Sequence, residues 1–290
     1  MHKYLRAIGF SKLEKNEDLN LLIKETIKNY SSKNVIEQEE GRQFGEHFKE
    51  FAPDLGLCVS GEYNEDEFSM EYYFPYIIGS KISSSEEVMI ERQADRESYI
   101  GACDDLRLDI SLIFHLINTG DYLNIREKKL TSQKDSMLYL SGLSIEGKIL
   151  LPVVRSEEYV RERQKKSQKR TAMIMAAREG DEEAMENLTV EDMDTYNEVS
   201  KRAQNEDIYS IVDNTFMPYG FGTDMYSIIA DILDFEMVEN SYTGEFLYKL
   251  NLVCNGIELD VCINAKDLLG EPQAGRRFKG VIWLQGNVLF

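Results

Sequence analysis

The chain is poor in the residues that build metal sites, covalent frameworks and sharp breaks. Its 290 residues include four cysteines, three histidines, five prolines and one tryptophan. Cys58, Cys103, Cys254 and Cys262 show no C-x-x-C spacing, and such scattered thiols read as small buried hydrophobes in a reducing compartment. His2, His47 and His115 fall in unrelated segments and offer no ligand pair, so neither a metal nor a cofactor is expected. No apolar run approaches the ~18 residues of a membrane span. The longest candidate, Ile110 to Ile117, is strand-length and contains His115. The opening MHKYLRAIGFSKLEKNEDLN lacks the apolar stretch and cleavage site of a signal peptide, so the expected location is cytoplasmic. Nucleotide and nucleophile signatures are missing too. There is no G-x-x-x-x-G-K-[ST] and no G-x-S-x-G, and Gly220-Phe221-Gly222 lacks the third glycine of a dinucleotide loop.

What the chain has in excess is acid. With 52 acidic and 33 basic side chains its net charge is −19. Such a surface repels phosphate backbones, so nucleic acid and anionic membranes are not expected as main partners. At 42% hydrophobic and 29% charged it is an ordinary globular composition, long enough to bury its core without a staple.

Periodicity divides the chain into three parts. Residues 1–153 read as an α+β domain: a helix over 17–30 with Leu19, Leu22, Ile23 and Ile27 at helical spacing, capped by Asn16 or Asp18, then strands. GLCVSGEY (56–63) and FSMEYYFPYII (68–78) form a hairpin across Asn64–Glu67. Short runs at 86–92, 97–103, 106–118, 136–143 and 147–153 follow, with links too short for crossover helices, so antiparallel neighbours are expected. Residues 154–222 read as a charged helical connector. Arg155 to Arg178 holds eight bases and three acids, and Glu179 to Glu198 holds nine acids and no base. Ser156 and Asp181 are the expected caps, with a third helix from Val190 to about Ala203. The two charge blocks are expected to lie against each other.

Residues 223–290 read as a small OB-like β-barrel: three meandering strands, one or two helical turns at 264–270 and a final strand or strand pair. Asn255-Gly256 is a strong hairpin signal and fixes a register in which Cys254, Leu252, Leu250 and Tyr248 face Ile257, Leu259, Val261 and Ile263. The other face carries Glu258 and Asp260 and is expected to be solvated, and Cys254 and Cys262 lie on opposite faces, so they cannot bridge.

Few constellations carry chemistry. Asp109, Ser111 and His115 share one strand face, but four residues at ~3.3 Å each hold Ser111 and His115 roughly 13 Å apart, too far for a nucleophile and its base. Two surfaces remain as binding candidates. One is Arg276, Arg277, Lys279 and Trp283 on the last strand, a basic and aromatic set that could grip single-stranded nucleic acid, although Trp283 packed at the sheet edge explains it more simply. The other is the basic run Lys165, Lys166, Lys169 and Arg170 for an acidic partner. The aromatic set Tyr72, Tyr73, Phe74 and Tyr76 reads as strand core.

The segments YLRAIGFS (4–11), EYYFPY (71–76), EDMDTY (191–196), FMPYG (216–220), DVCINAKDLLGEP (260–272) and GRRFKGVIWLQG (275–286) resemble a clostridial protein family classed as a domain of unknown function. The resemblance implies a bacterial, cytoplasmic protein and brings no activity or ligand. The expected function is therefore a non-enzymatic interaction or scaffold protein that binds another protein or a second copy of itself. Single-stranded nucleic-acid binding through the barrel, or an enzyme with a dispersed site, are the alternatives.

Overall fold

The structure, a computed structural model, describes residues 1–37, 41–65, 67–93, 98–108, 110–127, 136–153, 157–212, 214–221 and 223–290. Of 157–160, 162–164 and 167 it describes the backbone only. The chain opens with a 3-10 helix, Lys3–Ile8, and α1, Asn16–Lys28, which buries Leu19, Leu22 and Ile23 as its spacing predicts. Its N-cap is Lys15 with no side-chain cap bond, rather than Asn16 or Asp18.

Four strands then form an antiparallel sheet in chain order: β1 Ser32–Glu37, β2 Gln43–Ala52, β3 Leu55–Asn64 and β4 Glu67–Ile77. The β3–β4 hairpin closes with Asn64 opposite Glu67, at the expected turn, where Asp66 lies outside the described residues. Next come β5 Val88–Arg92, β6 Tyr99–Cys103 and β7 Leu112–Leu116, antiparallel to one another. Here the link is long enough for a helix after all: α2, Thr119–Glu127, separates β7 from β8, Met137–Leu150. Two separate strands are expected at 136–143 and 147–153, but β8 is continuous, because its partner absorbs the irregularity in a bulge at Gly280/Ile282.

The helical part holds α3 Glu157–Arg178, α4 Glu182–Arg202 and the single turn α5 Ile208–Ile211. Asp181 caps α4 as predicted, its carboxylate accepting from the Glu183 and Ala184 amides; Ser156 lies outside the described residues. The expected break before Val190 is absent, so α4 is one helix of 21 residues.

The last part is β9 Thr215–Pro218, β10 Met225–Glu239, β11 Phe246–Cys254, β12 Ile257–Asn264, a 3-10 turn Ala265–Asp267, β13 Leu268–Leu269 and β14 Arg277–Leu289. Only one helical turn forms at 264–270. The β11–β12 register is the predicted one from Tyr248 opposite Ile263 to Cys254 opposite Ile257, and it extends by one further pair, Leu247 with Asn264.

Strands β10, β11, β12 and β14 are four staves of a closed barrel. The fifth is β8, which runs parallel to β12 and antiparallel to β14 and so joins the two open edges. The molecule is thus α+β, with an antiparallel N-terminal sheet, a helical segment and an OB-like barrel whose closing strand precedes the meander in the chain. Strand β14 also pairs in parallel with β7 through Gln285 and Gly286, which attaches β5–β7 to the barrel.

One core fills the barrel, with Tyr226, Ile228, Leu250, Leu259, Val261, Phe278 and Ile282 among its members. A second core packs the 3-10 helix, α1, β3 and β4 against the barrel's outer wall at Leu143, Val238, Leu247, Cys262 and Trp283. The hairpin face expected to be solvated is therefore partly a core face. Cys262 is fully buried, and the Asp260 carboxylate accepts from the Ser80 amide at 2.5 Å and from Asn251 at 3.0 Å. Cys254 belongs to the inner core and Cys262 to the outer one, so the two thiols stay apart. All four cysteines are buried and none forms a disulfide.

Candidate interaction arm and its root on the barrel

Helices α3 and α4 pack against each other as an antiparallel hairpin. The predicted attraction between the charge blocks is present: Arg170 Nη1 lies 2.9 Å from Asp192 and 4.0 Å from Glu191. The seam is thin, with Ala184 the one fully buried residue of α4. Lys165, Lys166 and Lys169 are exposed and make no ion pair among the described residues, and the same holds for Glu183, Glu186, Asp194 and Glu198. On α4, Met185, Thr189, Met193 and Tyr196 recur at i, i+4, i+8 and i+11, within an arc of roughly 80° at 100° per residue. All four are exposed, Met193 by 61% and Tyr196 by 73%.

Arg277, read as a surface cation, is 3% exposed and holds the root of this arm. It donates to the carbonyl of Leu151, ahead of α3, at 3.1 Å. It also donates to those of Tyr209 and Val212, after α4, at 2.6 and 2.8 Å. One guanidinium on β14 thus pins both ends of a segment of about sixty residues. A planar fork with five donors suits this task, where a lysine would satisfy fewer acceptors. Lys279 completes the root. Its ammonium donates to the Tyr209 hydroxyl and lies 4.4 Å from the ring centroid, with Lys148 at 5.0 Å. The Lys279 hydrogen bond and charge lower the Tyr209 pKa. Arg276 stays at the rim, donating to the Glu271 carbonyl at 3.1 Å.

Trp283 points away from this root. It is 4% exposed, donates from Nε1 to Asp224 at 2.7 Å, and sits between rings: Tyr4 at 5.5 Å, His2 at 4.6 Å and His115 at 5.0 Å. The N-terminal 3-10 helix covers the face that a base would need. Ser111, by contrast, is exposed and donates to Asp104, well apart from this cluster, and Asp109 lies outside the described residues. Phe74 and Tyr76 are core, as read.

Several buried titratable groups were invisible to sequence reasoning. Glu46 is fully buried under the start of α2, where its Oε2 accepts from the Gly120 amide at 3.0 Å. Burial raises its pKa to about 8 against the hydrogen bonds from Gly120 and Asn34. Glu245 moves the other way. Burial opposes its ionisation, but hydrogen bonds from Lys266, Ser11 and Asn264 outweigh that and hold it down at about 2. Asp105, also buried, is lowered despite desolvation by the Arg107 fork and Ser84. Among the described residues no group of three His, Cys, Asp or Glu side chains could hold a metal ion, and no helix is long and apolar enough to cross a membrane.

Four of the quoted segments, 4–11, 71–76, 260–272 and 275–286, meet at the seam between the N-terminal helix and the barrel, whereas 191–196 lies on α4 of the arm. Arg6 makes two 2.6 Å bonds to Asp267, Asn264 donates to the Arg6 carbonyl at 3.3 Å, and Gln285 clamps the Pro75 carbonyl and the Ile77 amide. This is an α+β protein with a closed five-stranded barrel, a sheet docked on its wall and a charged helical arm rooted beside it. The chain belongs to the family described as a domain of unknown function from E. rectale, DUF3881, whose model matches residues 5–286. No curated protein and no solved structure matches the chain.

Proposed function

We propose that the protein is a non-enzymatic interaction module of the cytoplasm, with the α3–α4 arm as its recognition element and the barrel as its rigid base. The observation that carries this reading is the arm itself. It holds two helices of 22 and 21 residues with a thin mutual seam, Lys165, Lys166 and Lys169 that make no ion pair among the described residues, and the exposed stripe Met185, Thr189, Met193 and Tyr196. Isolated helices gain most of their stability from packing an apolar face, so a stripe at helical spacing that faces solvent suits a partner's groove. Four buried cysteines, none of them in a disulfide, support a reducing compartment.

The nucleic-acid reading relied on Arg277, Lys279 and Trp283. Their engagement with the arm's root and the N-terminal helix leaves no open stacking face for a base. The test is capture from a lysate of the bacterium that makes the protein, with the full chain as bait and Met193→Ala/Tyr196→Ala as control. A partner held by the native chain and lost by the variant is expected. Equal capture by both, or none by either, would overturn the assignment of the stripe.

A further inference from the structure

We propose that the arm also joins two copies of this chain, α3 of each copy lying against α4 of the other in a four-helix bundle about a two-fold axis that runs along the arm. This rests on the arm's being an interaction element and names a partner for the flank that the apolar stripe does not occupy. The Arg170–Asp192 pair sets the hairpin register, placing residue 170 beside 191 and 192. Advancing 100° per residue from that seam puts Lys165 and Lys169 on one side of α3. The same rule puts Asp194 and Glu198 on the same side of α4, at the same height within about one turn. The stripe of Met185, Met193 and Tyr196 turns toward the opposite side and the outer face.

On the charged flank, both signs are exposed and neither makes an ion pair among the described residues. Nearer the tip the flank carries Ala172, Ala176 and Val190, the last 57% exposed, small enough for two helix pairs to approach closely. A two-fold axis along the arm brings the lysines of one copy opposite the acids of the other, twice over by symmetry. That self-complementarity is what an isologous contact requires. It also singles out a second copy from partners in general, since a chain of net charge −19 repels itself everywhere but at such a local match. The two helix pairs then reach the packing of a four-helix bundle.

The experiment is sedimentation of the full chain at low salt, with two charge-reversed variants, Lys165→Glu/Lys169→Glu and Asp194→Lys/Glu198→Lys. The native chain is expected to dimerise, and each variant alone to dimerise on the order of tenfold or more weakly, because like charges then face each other. An equimolar mixture of the two variants restores both contacts and is expected to give a heterodimer, which also shows that both remain folded. A native chain that stays monomeric overturns self-association, as does a mixture that stays monomeric or variants that dimerise like the native chain. Capture of another protein through Met193 and Tyr196 would in those cases leave the arm's general role standing, and its loss together with a monomeric chain would overturn both.

Discussion

Glu46 and His47 are neighbours in β2 whose side chains leave opposite faces of the strand, and burial shifts both away from their charged forms. For Glu46 the native pKa of about 8 stands above the ordinary 4.5. Between those values the folded chain keeps a proton that the unfolded chain has released, so this group's contribution to stability falls as pH rises from about 4.5 to about 8. Glu46→Gln keeps an acceptor for the Gly120 amide and removes the titration. It is expected to stabilise the protein by on the order of 1–3 kcal/mol near pH 8, read as a higher urea midpoint, and to flatten the slope between pH 5 and 8. An unchanged slope would mean that the carboxyl is solvated. His47, lowered to about 4 by burial and the Lys33 charge, acts on the acid side. Its stabilising effect is complete above 6.5 and fades as pH falls toward 4, so His47→Gln should blunt acid unfolding in that window. Arg277 is the other decisive residue. Arg277→Ala leaves the carbonyls of Leu151, Tyr209 and Val212 without their donor and is expected to cost about 2–4 kcal/mol. It should also expose residues 203–212 to protease, and Arg277→Lys should recover only part. Neither Glu46 nor Arg277 was legible in the sequence, because Glu and Arg are mostly surface residues and their burial here depends on segments more than 60 residues away, whereas His47 is covered by the nearer Tyr30, Tyr63 and Phe68.

Elements were more legible where local chemistry fixes them. Asn255 and Gly256 both adopt positive φ, 51° and 84°, which the two-residue turn requires, and apolar alternation does the rest, so the β11–β12 pairing follows from the sequence alone. Alternation says which residues share a face but not what covers it. The 3-10 helix over Cys262, with Ala7 O accepting from its thiol at 3.4 Å, comes from the far end of the chain. In α4, Asn187, Thr189 and Val190 are weak helix formers and suggest a break. Burial of Ala184 in the seam with α3, and the strong helix formers around the three, carry the helix through. The sequence offers two runs, 136–143 and 147–153, where the structure has the single strand β8. Within it Gly147 stands opposite Gly280, and the Phe278 ring fills the space over the pair. A Cβ at 147 would meet that ring at 2.5 Å and the Ile263 side chain at 3.0 Å. Gly147→Ala is therefore expected to destabilise the barrel by about 1–3 kcal/mol in thermal unfolding, and Phe278→Leu in the same chain to return part of it. Simple additivity of the two losses would contradict the contact.

For the whole molecule, chain order and spatial order part company at the barrel. Four staves lie within residues 225–289 and read locally as a meander with a final strand, but the edges of β12 and β14 are left open until β8 joins them. Nothing near residues 137–150 signals a partner more than 100 residues away, so closure could not be read from periodicity. Yet closure decides what can fold alone. A fragment of residues 223–290 would present two unpaired edges, and its inner core would lack Leu138, Leu140 and the β8 backbone. It is expected to show no cooperative unfolding and little amide protection. A fragment of residues 136–290 restores the ring but uncovers Cys262, Leu247, Val238 and Trp283, the outer core that the N-terminal helix and sheet bury. That longer fragment should gain a β-rich circular dichroism spectrum and a cooperative transition, with lower stability than the full chain and association through the bared wall. Cooperative folding of 223–290 by itself would show that β8 is dispensable, and the barrel would then be a four-stranded sheet that β8 merely decorates.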